Sequence, residues 1–253
     1  MNYPKQVIKK GETDANIVKA IQLKLNEANC GPIDVDGNFG NQTVSAVKLF
    51  QTRNTDTNGA SLVADGQVGA MTWAAMFGSS TVINNNAAPS LLLSTAIIYA
   101  ISQINVVEVP LGSNRGPEVD EYLKITGLNP IGQHYAWCAA FVYWCYNKAA
   151  GDLGVKNPLV KTAGVLDHWN RAKCTKITRT QAINDPSLIT PGSIFIIDHG
   201  SNLGHTGIVE SVNGANITTI EGNTNNGQSR EGYGVFRLTK RKISEVSKGY
   251  LKY

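Results

Sequence analysis

"YAWCAAFVYWCYNKAA", residues 135–150, decides the fold, because the chain changes character on either side of it. The stretch is apolar and aromatic, lacks Gly and Pro, and reads as a buried helix. Upstream, "LLLSTAIIYAISQIN" (91–105) and "PEVDEYLKITG" (117–127) read as two more helices. Downstream, "GSIFIID", "HTGIVESV", "ITTIEGN" and "YGVFRLTK" are short, β-branched or alternating, and set off by Gly, Asn or Pro. Helices followed by a meander of antiparallel strands predict an α+β domain over residues 93–253.

The same helix carries chemistry. Cys138 and Cys145 lie seven residues apart, about 10 Å along a helix, beyond disulfide reach. In a helix beginning near Trp137, Cys138 falls in the first turn. The free N–H groups and the dipole there stabilise a thiolate and can cradle an oxyanion. Cys145 sits two turns deeper and reads as a small core hydrophobe. Position alone leaves inert packing open for Cys138.

A thiolate mechanism also needs a base. His134 lies in a capping loop without rigid support, His168 in "LDHWNRA" reads as an exposed helical residue, and His199 sits at a strand-end turn. His205 opens the strand "HTGIVESV" between two glycines, a rigid mount that lets another segment approach closely. A three-residue loop at 213–215 would place Glu221 and Asn223 on the face of His205, where either can accept the imidazole Nδ1–H. A two-residue loop would place them on the other face.

The first part of the chain is different. "DGNFGNQTVSAVKLFQ" from Asp36 and "DGQVGAMTWAAMFG" from Asp65 form a near-repeat. In each, Asp caps a tight turn, Gly takes positive φ, and a helix follows. Ile17, Ile21 and Leu25 upstream recur at helical spacing, so a small three-helix domain is expected over residues 1–79. "DVDGNFG" is no EF-hand: Gly37 stands at the fourth position and Ser45 at the twelfth, where Gly at the sixth and Glu at the twelfth are needed. Between the domains, "GSSTVINNNAAPS" reads as a linker, placed at 80–92.

The totals set limits. At 253 residues the chain has room for two domains. Its longest apolar run is too short to span a bilayer, so membrane insertion is not expected. The start "MNYPKQVIKKGETDAN" has no apolar h-region, which predicts cytoplasmic synthesis without a secretory signal. Four scattered cysteines predict a reduced protein, and the Cys/His spacings form no zinc pattern, so no metal or cofactor is expected. The net charge of +4 arises after residue 79, and 237–253 hold six basic residues against one acid. That favours an anionic partner such as a wall polymer, or simply marks a solvated face. Few aromatics interleave the basic residues, which argues against nucleic acid.

"DGNFGNQTVSAVKLFQ" resembles the signature of the bacterial three-helix peptidoglycan-binding domain, over about residues 8–78. The resemblance implies a shallow groove for glycan–peptide fragments, with Asp36 and Phe39 as candidate lining residues; turn and core are their alternative roles. "WCAAFVYWC", "PGSIFIID", "GHTGIVESVNG" and "TIEGNTN", in that order, resemble the CHAP domain, a papain-like cysteine- and histidine-dependent amidohydrolase/peptidase. "EVPLGSNRGPEVDEYL" resembles the first segment of one branch. The resemblance implies Cys138 as nucleophile, His205 as base, and Glu221 with Asn223 as orienting pair. Many CHAP domains place Gln or Asn before the cysteine; Trp137 stands there here. Trp137 and Tyr135 are candidate substrate contacts, with Tyr135 also the candidate second oxyanion donor.

Both halves imply the same polymer. The expectation is a monomeric peptidoglycan hydrolase cutting an amide in the stem peptide or at the muramoyl–alanine link. It would reach the wall by holin release, injection or lysis, as an endolysin or an antibacterial effector; in the latter case an immunity protein is an expected partner. Two other classes fit less well: a non-catalytic wall-binding or phage-tail structural protein, and an acyl- or peptidyl-transferase using the same thioester.

Overall fold

The computed structural model describes residues 1–85, 89–225 and 232–253. Residues 86–88 of the expected linker lie outside the described residues. The chain divides into two compact units. One is Met1–Asn84 together with Ile183–Ser187 and Asn213–Ala215; the other comprises Asn85–Ala182, Leu188–Val212 and Asn216–Tyr253.

The first unit has three helices: α1 (Ala15–Glu27), α2 (Asn41–Arg53) and α3 (Ala70–Phe77). Asp14 caps α1, its Oδ1 accepting from the N–H groups of Asn16 and Ile17. Ile21, Leu25, Val47 and Trp73 are fully buried at the centre. The Asp-Gly repeat is a repeat of bonds as well as of letters. Gln22 Nε2 donates to Asp36 Oδ1, the Asn38 carbonyl and Thr43 Oγ1, while its Oε1 accepts from the Gly37 N–H. Twenty-nine residues on, Gln51 does the same with Asp65, the Gln67 carbonyl, Thr72 and the Gly66 N–H. Gly37 and Gly66 turn at φ of 81° and 79°, where a side chain would be strained. Each glutamine thus reaches from a helix into the turn that follows it. Truncating Gln51 to Ala should leave the Gly66 N–H and the Gln67 carbonyl without this partner, at a cost of about 1–3 kcal/mol. A lowered urea midpoint for this unit would register the loss, and Gln22→Ala should cost about as much.

This arrangement corrects one expectation. Phe39 is fully buried, an apolar ring drawn into the helical core, and lines no groove. Asp36 stays at the surface, with its carboxylate held below the usual range by the Asn38 N–H and the Gln22 amide.

The second unit is α+β. Its helices are α4 (Leu91–Ser102), α5 (Pro117–Ile125), α6 (Cys138–Asp152), α7 (Val165–Arg171) and α8 (Arg179–Asn184). The strands are β1 (Thr175–Thr178), β2 (Ile194–Gly200), β3 (Leu203–Asn213), β4 (Asn216–Thr224), β5 (Gly234–Lys242) and β6 (Gly249–Lys252). They form one antiparallel sheet in the order β1-β6-β2-β3-β4-β5. Helix α6, apolar on nearly every face, packs against α4, α5 and β4 and is the hub of the core. Among the described residues no helix is long and apolar enough to cross a membrane.

The β3–β4 turn differs from expectation. The strands run through Asn213 and from Asn216, so the connection is two residues, 214–215, with Gly214 at φ 60°. Even so, Gly207 and Glu221 lie against each other: a Cβ on Gly207 would meet Glu221 Cγ and the Ile220 carbonyl at 2.8 Å.

Candidate active site

Cys138 is the first residue of α6, with Trp137 as the N-cap. Its backbone N–H therefore has no partner within the helix and faces the same end as its thiol. Two features bring the sheet close. Gly222 of β4 leaves room for Trp137 and Phe141, which an added Cβ would meet at 2.7 and 2.8 Å. Gly207 of β3 leaves room for Glu221 and Phe195. The glycines on β3 and β4 thus let α6 and the residues around His205 pack closely.

In that contact the Cys138 thiol lies beside the His205 imidazole, close enough to favour its charged form. His205 Nε2 lies 2.7 Å from Glu221 Oε2, which leaves Nδ1 for the thiol. The expectation had the orienting group on Nδ1; the ring instead presents Nε2 to the sheet interior, where the carboxylate lies. Phe195 packs beside the ring, with centroids 5.8 Å apart.

Glu221 is fully buried and saturated with partners. Its Oε1 accepts from Thr219 Oγ1 and Arg241 Nε, and its Oε2 from His205 Nε2 and Arg241 Nη2. Burial opposes its charge, but His205 and Arg241 outweigh burial and draw its pKa down to about 2. For His205, burial also opposes the charged form. The adjacent Cys138, the hydrogen bond to Glu221 and the negative charge of both prevail and raise its pKa to about 9.

Asn223 does not orient the histidine. Its Oδ1 accepts the Trp137 N–H at 3.0 Å, and its Nδ2 donates to Asn114 Oδ1 and the Gly232 carbonyl. With φ at 55°, the backbone leaves the regular strand path at Asn223, and its amide meets the residue preceding the cysteine. Trp137 is fully buried, so its ring is core rather than a substrate contact. Its indole N–H donates to Glu108, whose other oxygen accepts the Asn114 N–H. Tyr135 is half-buried on the edge of the core, three residues before the cysteine.

The remaining candidates lie apart from this pair. Cys145 is wholly buried, and burial pushes its thiol pKa well up. His134 is exposed, with Nδ1 on the Ser113 carbonyl, and His199 is also exposed. His168, expected on the surface, is buried with Nε2 on the Tyr253 hydroxyl, and burial lowers its pKa to about 4. The side of α7 that carries it packs inward, which its charged neighbours had concealed. Among the described residues no group of three or more His, Cys, Asp or Glu could hold a metal ion.

Sequence reasoning missed Arg241, Thr219, Glu108 and Asn114. Arg241 stands in the basic run 237–253 and looked like one more solvated cation; Arg237 and Thr239, at the same alternation, are exposed, and a register shift between Ile217 and Thr219 breaks the pattern.

Residues 14–76 match the peptidoglycan binding domain family, and residues 130–223 match the CHAP domain family. No curated protein and no solved structure matches the chain. The protein thus carries a peptidoglycan-binding domain followed by a CHAP domain.

Proposed function

We propose that this chain is a cysteine peptidoglycan hydrolase that cuts an amide bond of the stem peptide or its link to muramic acid. The observation that carries the reading is the continuous Cys138–His205–Glu221 contact at the start of α6, in a chain that also holds a wall-binding domain.

His205 takes the thiol proton, and the Cys138 thiolate attacks the amide carbonyl. The oxyanion that forms is met by the Cys138 N–H at the helix terminus. The imidazolium then gives its proton to the departing amine, leaving a thioester. Water attacks the thioester with His205 as base, releasing a carboxylate and restoring the thiol. Glu221 fixes the ring and balances its charge, and Asn223 fixes the backbone just ahead of the nucleophile. Binding of the first domain to the wall raises the local concentration of the second at an insoluble substrate.

Digestion of purified peptidoglycan, with mass spectrometry of the released fragments, tests the reading. New amine and carboxyl ends are expected, and their masses separate muramoyl–alanine cleavage from cleavage within the peptide. Intact wall that merely retains the protein would turn the reading to a binding protein. Fragments joined to an added amine would turn it to a transferase.

A further inference from the structure

Arg241 takes no part in the steps above, yet its position is costly. It lies on β5, the last strand of the sheet, and its side chain is only 8 % exposed. A buried guanidinium is tolerated only where its charge is met. Among the described residues it is met by Glu221: Nε and Nη2 lie 2.8 Å from the two oxygens of that carboxylate. In the β4–β5 register Arg241 stands opposite Ile217, so its side chain runs back along the sheet to reach that carboxylate. Its guanidinium also lies over the Phe195 ring, 5.0 Å from the centroid, on the residue that flanks His205.

The groups form an alternating series: thiol, imidazole, carboxylate, guanidinium. With Arg241 present, Glu221 is neutralised before any proton moves. The carboxylate therefore holds the imidazolium less firmly than a lone buried carboxylate would, and the proton on the ring is shared with Cys138. We propose that Arg241 is a positioning residue whose fixed positive charge, acting through Glu221, sets the pH at which the Cys138–His205 pair exchanges its proton. The proposal rests on the reading of Cys138 as nucleophile.

Among the described residues the groups facing this series are few. Cys138 comes from α6, Glu221 and Thr219 from β4, and the apolar Phe195 from β2. Tyr250 of β6 also feels the guanidinium, but burial holds its hydroxyl protonated. A nearby fixed cation lowers the pKa of every neighbouring titrating group, so its removal should raise them together.

The test is the rate of alkylation of Cys138 by iodoacetamide as a function of pH, with the adduct located by peptide mass mapping in the full chain. In Arg241→Met the inflection should move up by about one pH unit. In Arg241→Lys, which keeps the charge but loses the two-pronged geometry, it should stay near the wild-type position. Superimposable wild-type and Arg241→Met curves would overturn the proposal, as would equal shifts in both variants. If Arg241→Met does not fold, the double variant Glu221→Gln/Arg241→Met, which removes both buried charges, is compared with Glu221→Gln. The single variant, with its uncompensated cation, should then show the lower inflection by about one pH unit, and coincidence of the two overturns the proposal. Alkylation requires no turnover. A shifted inflection in a protein that leaves the wall uncut sinks the hydrolase reading alone; an unmoved one in a protein that cuts it sinks this proposal alone.

Discussion

Cys138→Ala should abolish release of wall fragments, with a rate loss on the order of 10⁴-fold or more, because a covalent mechanism has no substitute for its nucleophile. The variant should still sediment with peptidoglycan, since the wall-binding match, residues 14–76, does not include Cys138. Its folding should change little: the thiol is small, and Ala139 and Ala140 already follow it in the same turn. Cys145→Ala offers the contrast. That thiol is fully buried and its pKa is pushed up, so its removal should lower stability through a small cavity while fragments are still released. Fragment release and sedimentation, measured on both variants, separate nucleophile from filler.

The second large effect belongs to Glu221→Gln. The amide keeps the shape but removes the charge that faces both His205 and Arg241. Breaking one partner out of a buried ionic cluster costs about 3–5 kcal/mol, because the guanidinium is left unmatched. Activity should fall by several orders of magnitude as the imidazole loses the group that fixes its tautomer. The pH dependence of stability should change too. The His205 pKa is raised, so its contribution is full below the ordinary imidazole value of 6.5 and is lost as pH rises through about 9. The Glu221 pKa is lowered, so its contribution is present above the ordinary carboxyl value of 4.5 and is lost as pH falls through about 2. Wild-type stability should therefore be greatest between those limits; the variant should lack the acid flank and keep only the part of the alkaline flank that Cys138 supplies. Urea midpoints across pH read this directly.

Much of this molecule is legible in its letters because local patterns carry it. The apolar helix, the strand meander and the Asp-Gly turns each announce themselves within a dozen residues. The candidate nucleophile was legible for a physical reason as well, since Cys138 alone of the four cysteines opens a helix. What stayed hidden depends on separation in space. Gln22 and Gln51 repeat at the same interval as the turns they fill, but nothing local says that a helical amide reaches into a loop. Arg241 pairs with a residue 20 positions away across two strands. Asn223 and Glu221 share one short stretch and were read as doing one task. Yet the backbone at Asn223 takes a left-handed φ, and its amide goes to the helix end instead of the histidine. Trp137 and Phe39 were read as contacts for a ligand because large rings can serve either purpose; burial assigns both to the core.

The central claim is that Cys138 carries the acyl group of the cleaved amide. Rapid acid quench of the full chain during digestion of peptidoglycan-derived muropeptides, followed by peptide mass mapping, tests it most directly. The account predicts an adduct on the peptide containing Cys138, with the mass of the acyl half of the substrate, absent from Cys138→Ala. Muropeptides cleaved while the acyl group sits on Cys30, Cys145 or Cys174, or with Cys138→Ala as active as the wild type, would contradict it.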